Sequence, residues 1–205
     1  INDAFYIDYV AHEMGHQFGG NHTFNGTKGS CAGGNKNTAT SVEPGSGSTI
    51  MAYAEIYTTK IKNNRNPYFS TVSVNNIYNF IKSANGSCSV NTDSGNNEPI
   101  IEISKLSHNI PHSTAFILEA TATDLDGDAL TYNWEQTDTQ IATQPPVSTN
   151  TGGPTFRSLN PTTEGYRYFP NLQSIVAGKL TLDTNPAPMN WEVIPSVART
   201  LKFSI

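Results

Sequence analysis

His12-Glu13-Met14-Gly15-His16-Gln17-Phe18-Gly19-Gly20-Asn21-His22 is the stretch on which the reading of this chain turns. His12 and His16 stand four residues apart, so on a helix their Cβ atoms lie about 5–6 Å from one another on one face and both imidazoles reach a single metal ion. If that helix ran on, His22 would lie about 15 Å along the axis from His12 and point elsewhere. Gly19 predicts the escape, because glycine accepts the left-handed conformation that ends a helix and folds the chain back, making His22 a third ligand. Three neutral imidazoles at about 2.0–2.1 Å with a fourth position left for water describe a catalytic zinc site better than a closed structural one. Glu13 then stands beside the metal without binding it. There it can take a proton from a zinc-bound water, whose pKa falls from about 15.7 to about 7, so that the hydroxide attacks a polarised carbonyl and the proton passes to the leaving amine.

The segment resembles the elongated zinc motif of the metzincin metallopeptidases, His-Glu-x-x-His-x-x-Gly-x-x-His, at every fixed position. That resemblance implies zinc ligation by His12, His16 and His22 and a general base at Glu13. It also implies a methionine-containing turn below the metal, matched by Met51 in Ser48-Thr49-Ile50-Met51-Ala52-Tyr53. Tyr53 is similar to the tyrosine that some metzincins use as an extra ligand or oxyanion partner. Asn21-His22-Thr23-Phe24 resembles the motif's end in pappalysin-like enzymes. The run Glu43-Pro44-Gly45-Ser46-Gly47-Ser48 up to Met51 resembles the reprolysin-like (adamalysin-related) bacterial type, and the second likeness is favoured. Metzincins place a sheet and two helices ahead of the zinc helix, and no counterpart precedes it here. Residues 1–90 are therefore expected to be the lower catalytic subdomain alone, with Phe5, Val10 and Met14 facing a cover that was removed or is present elsewhere, and this piece by itself is expected to bind zinc without cleaving peptides.

The predicted first helix runs from Asn2 or Asp3 to Phe18, and a second covers residues 74–83 with Ser73 as its cap and Val74, Ile77, Tyr78 and Ile81 on one face. Residues 91–99 are polar, aperiodic and contain Gly95 and Pro99, which marks a linker. Beyond them strand-like alternation takes over: residues 100–106, Phe116, Leu118, Ala120 and Ala122, then Leu130, Tyr132 and Trp134, with further candidates at 167–169, 191–194 and 200–205. The expected architecture is thus α+β and multidomain, a mainly helical catalytic subdomain followed by an antiparallel β-sandwich of Ig-like, PKD-like or cadherin-like kind over residues 100–205. Asp124-Leu125-Asp126-Gly127-Asp128 reads as the hairpin turn between two of those strands. A weak Ca²⁺ site on Asp124, Asp126 and Asp128 is the alternative, and Ala129 at the sixth position excludes an EF-hand.

Composition narrows the function classes. Of 205 residues 36% are hydrophobic, enough to build cores, and only 14% are charged, against about 25% in an average globular chain; with abundant Asn, Ser and Thr this leans towards a secreted or extracellular protein, bacterial cell surface included. A net charge of −5 without a Lys/Arg cluster leaves no footprint for nucleic acid, and no apolar run is long enough for membrane insertion. Cys31 and Cys88 fit one disulfide or two separate thiols equally. The expected activity is a secreted zinc-dependent endopeptidase acting on protein or peptide substrates through a zinc-bound water activated by Glu13. The rival is a non-catalytic zinc-binding surface or adhesion protein whose sandwich recognises a partner. Oligomeric state is not legible.

Overall fold

The computed structural model describes residues 3–54, 61–181 and 191–205. Both helices and small antiparallel sheets are present, as an α+β chain requires. Residues 3–17 form one helix whose pitch changes along its length: an α turn at Asp3–Phe5, a π-helical stretch at Tyr6–Ala11 and an α-helical stretch at His12–Gln17. The π segment is the departure from the expected uniform helix. Its Asp8 is 3% exposed, and its carboxylate accepts hydrogen bonds from the backbone N–H of Arg65 and from Asn64 Nδ2, both at 2.8 Å. A wide π turn with a buried polar anchor is a known way for a helix next to a functional site to depart from α geometry.

The second long helix, Thr71–Lys82, begins three residues before the expected start. The reason lies far along the chain. The Ser70 side chain makes no cap; instead the Glu135 carboxylate accepts from the Thr71 backbone N–H at 2.6 Å and from Thr71 Oγ1 at 2.8 Å. A carboxylate at a helix N-terminus satisfies an otherwise orphaned donor and faces the positive end of the helix dipole. Burial nevertheless pushes the Glu135 carboxyl above its ordinary pKa, against the pull of the Ser158 and Thr71 hydrogen bonds.

The described strands pair as three two-stranded antiparallel sheets. β1 (Ile100–Glu102) pairs with β3 (Thr121–Thr123), β2 (Phe116–Glu119) with β5 (Tyr166–Phe169), and β4 (Glu135–Gln136) with β6 (Phe203–Ser204). The expected hairpin across the Asp-Gly turn does not form: β3 turns back to β1, and of residues 130–134 only Tyr132 makes a bridge, to Thr162. The acidic loop is tied elsewhere, since Asp126 accepts from the backbone N–H of Asn97 at 2.6 Å and from its side chain at 2.8 Å. Residues 191–194, expected as a strand, are irregular, yet Trp191, Val193 and Ile194 are buried. The core of this half is aromatic: Phe116 stacks on Phe169, Phe156 meets Phe169 edge-on and Phe203 lies tilted against it, with Trp134 and Ile194 in the same cluster. A buried ion pair, Arg167 to Glu192 at 2.5 Å, lies in the same half.

The N-terminal and C-terminal parts meet through polar groups. Asn25, fully buried, donates to Gln140 O at 3.0 Å and accepts from Ala142 N at 3.0 Å, while Gln144 Oε1 accepts from Gly45 N at 2.9 Å. Tyr68 hydrogen-bonds Ser158 Oγ and Leu159 O, each at 2.7 Å. The ring of Trp191 lies on Gly45 so closely that a Cβ there would stand 2.6 Å from it, at a φ of +56° that disfavours any side chain. Gly45→Ala is therefore expected to cost about 2–4 kcal/mol, read as a drop in melting temperature of roughly 10 °C. An unchanged melting temperature would show that the ring is not seated there.

Tyr68 carries a pH dependence. Burial pushes its phenol up to about 12, with the carboxylates of Glu43 and Glu135 adding to the shift. An unfolded tyrosine ionises near pH 10, so the folded protein holds the proton more tightly between those values. Tyr68 thus contributes fully below about pH 10 and loses about 2–3 kcal/mol of stability as pH rises towards 12. Denaturant titrations at pH 9 and 11 should show about half of that loss in the parent protein, roughly 1.4 kcal/mol, and a smaller one in Tyr68→Phe.

Candidate metal centre

His12 is buried on the α-helical stretch, and His16 follows one turn later, half-buried. The helix then ends as the sequence predicts. Gly19 takes φ +80°, its N–H bonds His16 O at 3.0 Å, and the N–H of Gly20 reaches back to Gly15 O at 2.8 Å, the paired bonding of a Schellman-type stop. A Cβ on Gly19 would also press on the Phe80 ring at 3.1 Å. From this stop the chain reverses and brings His22 to the other two.

The three Nε2 atoms form a nearly equilateral triangle: His12 to His16 3.2 Å, His16 to His22 3.1 Å and His12 to His22 3.3 Å. Each Nδ1 lies against a backbone carbonyl, His12 on Ile50 O at 2.7 Å, His16 on Gly20 O at 2.8 Å and His22 on Asn35 O at 2.5 Å. Carbonyl oxygens only accept, so the ring proton sits on Nδ1 in all three and the Nε2 lone pairs face one another with no hydrogen between them. Such an arrangement is repulsive unless a cation lies among the lone pairs. A tetrahedral zinc ion with bonds of about 2.0–2.1 Å needs its nitrogens about 3.3–3.4 Å apart, close to what is found. His12, His16 and His22 therefore can hold a metal ion.

Electrostatics favour the neutral ligand form. Burial pulls His12 down to about 4, opposed by the Ile50 carbonyl and reinforced by the Arg65 charge and the other two imidazoles. Burial also lowers His22, against the opposing pull of the Asn35 carbonyl. Both rings are thus uncharged at neutral pH.

Glu13 is exposed on the helix beside His12, and its charge is felt at His22 and at Tyr53. Tyr53 places its ring 4.5 Å from that of His22 and 5.8 Å from that of His12, with Phe24 behind it at 4.8 Å. Burial raises the Tyr53 phenol, which keeps it a hydrogen-bond donor at neutral pH. Met51 is fully buried under the helix, where a Cβ on Gly15 would meet its Sδ at 2.4 Å and the Phe69 ring at 3.0 Å. Gly15 is thus the gap that admits the methionine. The Thr49–Ala52 turn, closed by Ala52 N to Thr49 O at 3.0 Å, presents the Ile50 carbonyl that orients His12.

Three supports escape a sequence reading: the Asn35 carbonyl behind His22, Asp8, and Arg65. Arg65 is 7% exposed and donates through Nε to Ala52 O at 2.5 Å and through Nη1 to Asp8 O, joining the start of the histidine helix to the end of the methionine turn. No local pattern marks it, because its partners lie far away in sequence.

Asp124, Asp126 and Asp128 do bring carboxylate oxygens within 4.8 Å of one another, but Asp126 and Asp128 are exposed, and Asp124 Oδ1 already accepts from the backbone N–H groups of Asp126 and Asp128. Those bonds make an Asx-type turn, and calcium finds no support there. Cys31 is buried and Cys88 exposed, and both are free thiols. Phe5, Val10 and Met14, for which a cover is expected, are 44%, 39% and 54% exposed. No helix among the described residues is long and apolar enough to cross a membrane.

Residues 2–83 match the family described as Metallo-peptidase family M12B Reprolysin-like. The match holds all three histidines, Glu13, Met51 and Tyr53, and it supports a reprolysin-like zinc metallopeptidase acting on protein or peptide substrates. Residues 84–205 lie outside it. Neither the curated proteins nor the solved structures contain a match to the chain.

Proposed function

We propose that this protein is a secreted zinc-dependent endopeptidase of the reprolysin-like bacterial type, with residues 1–90 as its catalytic subdomain, 91–99 as a linker and 100–205 as an Ig-like accessory sandwich. The observation that carries the reading is the convergence of three unprotonated Nε2 atoms at 3.1–3.3 Å inside the segment that matches a metallopeptidase family. The low charge content of 14% supports an extracellular setting.

Zinc in such a site supplies Lewis acidity, polarising a carbonyl oxygen and acidifying water. The residues of the chain do the rest. The three backbone carbonyls behind the imidazoles fix tautomer and ring orientation, so the ligand triangle is organised before substrate arrives. Glu13, beside but outside the triangle, accepts the proton of the attacking water on its carboxylate and hands it to the nitrogen of the departing amine. Tyr53, kept protonated, offers its hydroxyl to the oxygen on which negative charge develops.

Metal-stripped full-length protein titrated with zinc is expected to take up one equivalent. It should then cleave a mixed peptide library, with cleavage abolished by a chelator and restored by zinc. Failure to bind zinc would overturn the reading, while stoichiometric zinc without cleavage of any peptide would favour a non-catalytic zinc-binding surface protein.

A further inference from the structure

We propose that Glu43 is a positioning residue of the metal centre, its carboxylate fixing the chain segment that delivers His22 to the turn that orients His12. The inference rests on the reading of His12, His16 and His22 as zinc ligands. Glu43 is 2% exposed and takes no direct part in the ligand triangle. Its Oε1 accepts from Thr23 Oγ1 at 2.6 Å and from Thr49 Oγ1 at 2.5 Å. Its Oε2 accepts from the backbone N–H groups of Ser48 at 2.6 Å and Thr49 at 3.1 Å, with Ser48 Oγ at 3.4 Å.

These donors come from two places that matter to the metal. Thr23 directly follows His22. Thr49 directly precedes Ile50, whose carbonyl holds His12 Nδ1 at 2.7 Å. The main chain repeats the link, with Glu43 N bonded to Thr23 O at 2.9 Å, Asn25 N to Glu43 O at 2.8 Å and Thr23 N to Met51 O at 3.2 Å. Room for the carboxylate is kept by Gly47, where φ is +71° and a Cβ would stand 3.1 Å from Glu43 Cδ and 2.6 Å from the Ala52 methyl. A buried carboxylate is costly unless its lone pairs are filled, and here hydroxyls and amides of the two segments fill them. Its hydrogen bonds are thus satisfied only while the His22 segment and the methionine turn keep their spacing, which is the spacing the ligand triangle needs.

Removal of groups that orient metal ligands typically weakens metal binding about 10–100-fold. Glu43→Ala in the full chain is expected to weaken zinc binding within that range and to shift the visible absorption bands of the cobalt-substituted protein, which report ligand geometry. Glu43→Gln should recover most of the affinity, because its amide oxygen can accept from the Ser48 and Thr49 N–H groups while its NH₂ donates to the Thr23 and Thr49 hydroxyls, each free to turn and accept. Thr23→Val removes the carboxylate's side-chain link to the His22 segment while leaving the main-chain bonds in place, and it should weaken zinc binding by about tenfold in a protein that still folds. A folded Glu43→Ala protein with parental zinc affinity and an unshifted cobalt spectrum would overturn the proposal. If Glu43→Ala fails to fold, parental affinity in Thr23→Val would overturn it. Parental protein that binds no zinc would overturn the zinc reading and this proposal together, whereas zinc binding without peptidase activity would leave the Glu43 comparison intact.

Discussion

Glu13→Gln is expected to lower kcat/KM for peptide hydrolysis by about 10²–10⁴-fold while leaving zinc content at the parental level. The two readouts separate because Glu13 is exposed and stands outside the triangle formed by the three Nε2 atoms. Glutamine keeps the shape of the side chain and loses its ability to take a proton. The zinc site, held by imidazoles that are themselves oriented by Ile50, Gly20 and Asn35 carbonyls, has no need of the lost charge. The comparison belongs in whichever length of the protein turns over a peptide substrate. Full activity in the variant would remove Glu13 from the proton path, and loss of zinc would show that it helps bind the metal instead.

Arg65→Ala is expected to cost about 3–5 kcal/mol, since two backbone carbonyls lose a charged donor where water does not replace it. Those carbonyls belong to Asp8 and Ala52, on the helix that bears the ligands and on the turn beneath it. The ring of Tyr53 loses a neighbour as well, the guanidinium carbon lying 5.9 Å from its centroid. Thermal unfolding should show a fall on the order of 10 °C or more. Arg65→Lys should recover only part of it, because a single ammonium on a flexible stem cannot serve two carbonyls from the fixed fork of a guanidinium. A melting temperature within about 2 °C of the parent for Arg65→Ala would show that the bracket is dispensable.

The ligand set was legible because its logic is local. Helical spacing brings His12 and His16 together, and a glycine stop returns His22 to them, all within eleven residues. The left-handed Gly19 is the clearest instance, since the sequence alone predicts both its conformation and its purpose. The supports were not legible. No pattern in the sequence marks Arg65 or Glu135, because the fold alone brings the first to Ala52 and the second to Thr71. Strand pairing failed for a related reason. Alternation between 116 and 134 says which faces are apolar but not which edge finds which, and the Asp-Gly turn carries no information that β3 will choose β1. The π-helical turn is likewise invisible to periodicity, because the partners of Asp8 lie at residues 64 and 65.

The seam between the two halves sets a condition on their shared history. Greasy contacts tolerate exchange of one apolar neighbour for another, but Asn25, Glu135 and Gln144 each need a particular donor or acceptor from the opposite side. A foreign domain grafted after residue 99 would leave an amide and a helix end stranded without water or partner. The two halves are thus expected to travel as a single inherited unit, and the C-terminal one to be exchanged far less freely than a tethered appendage.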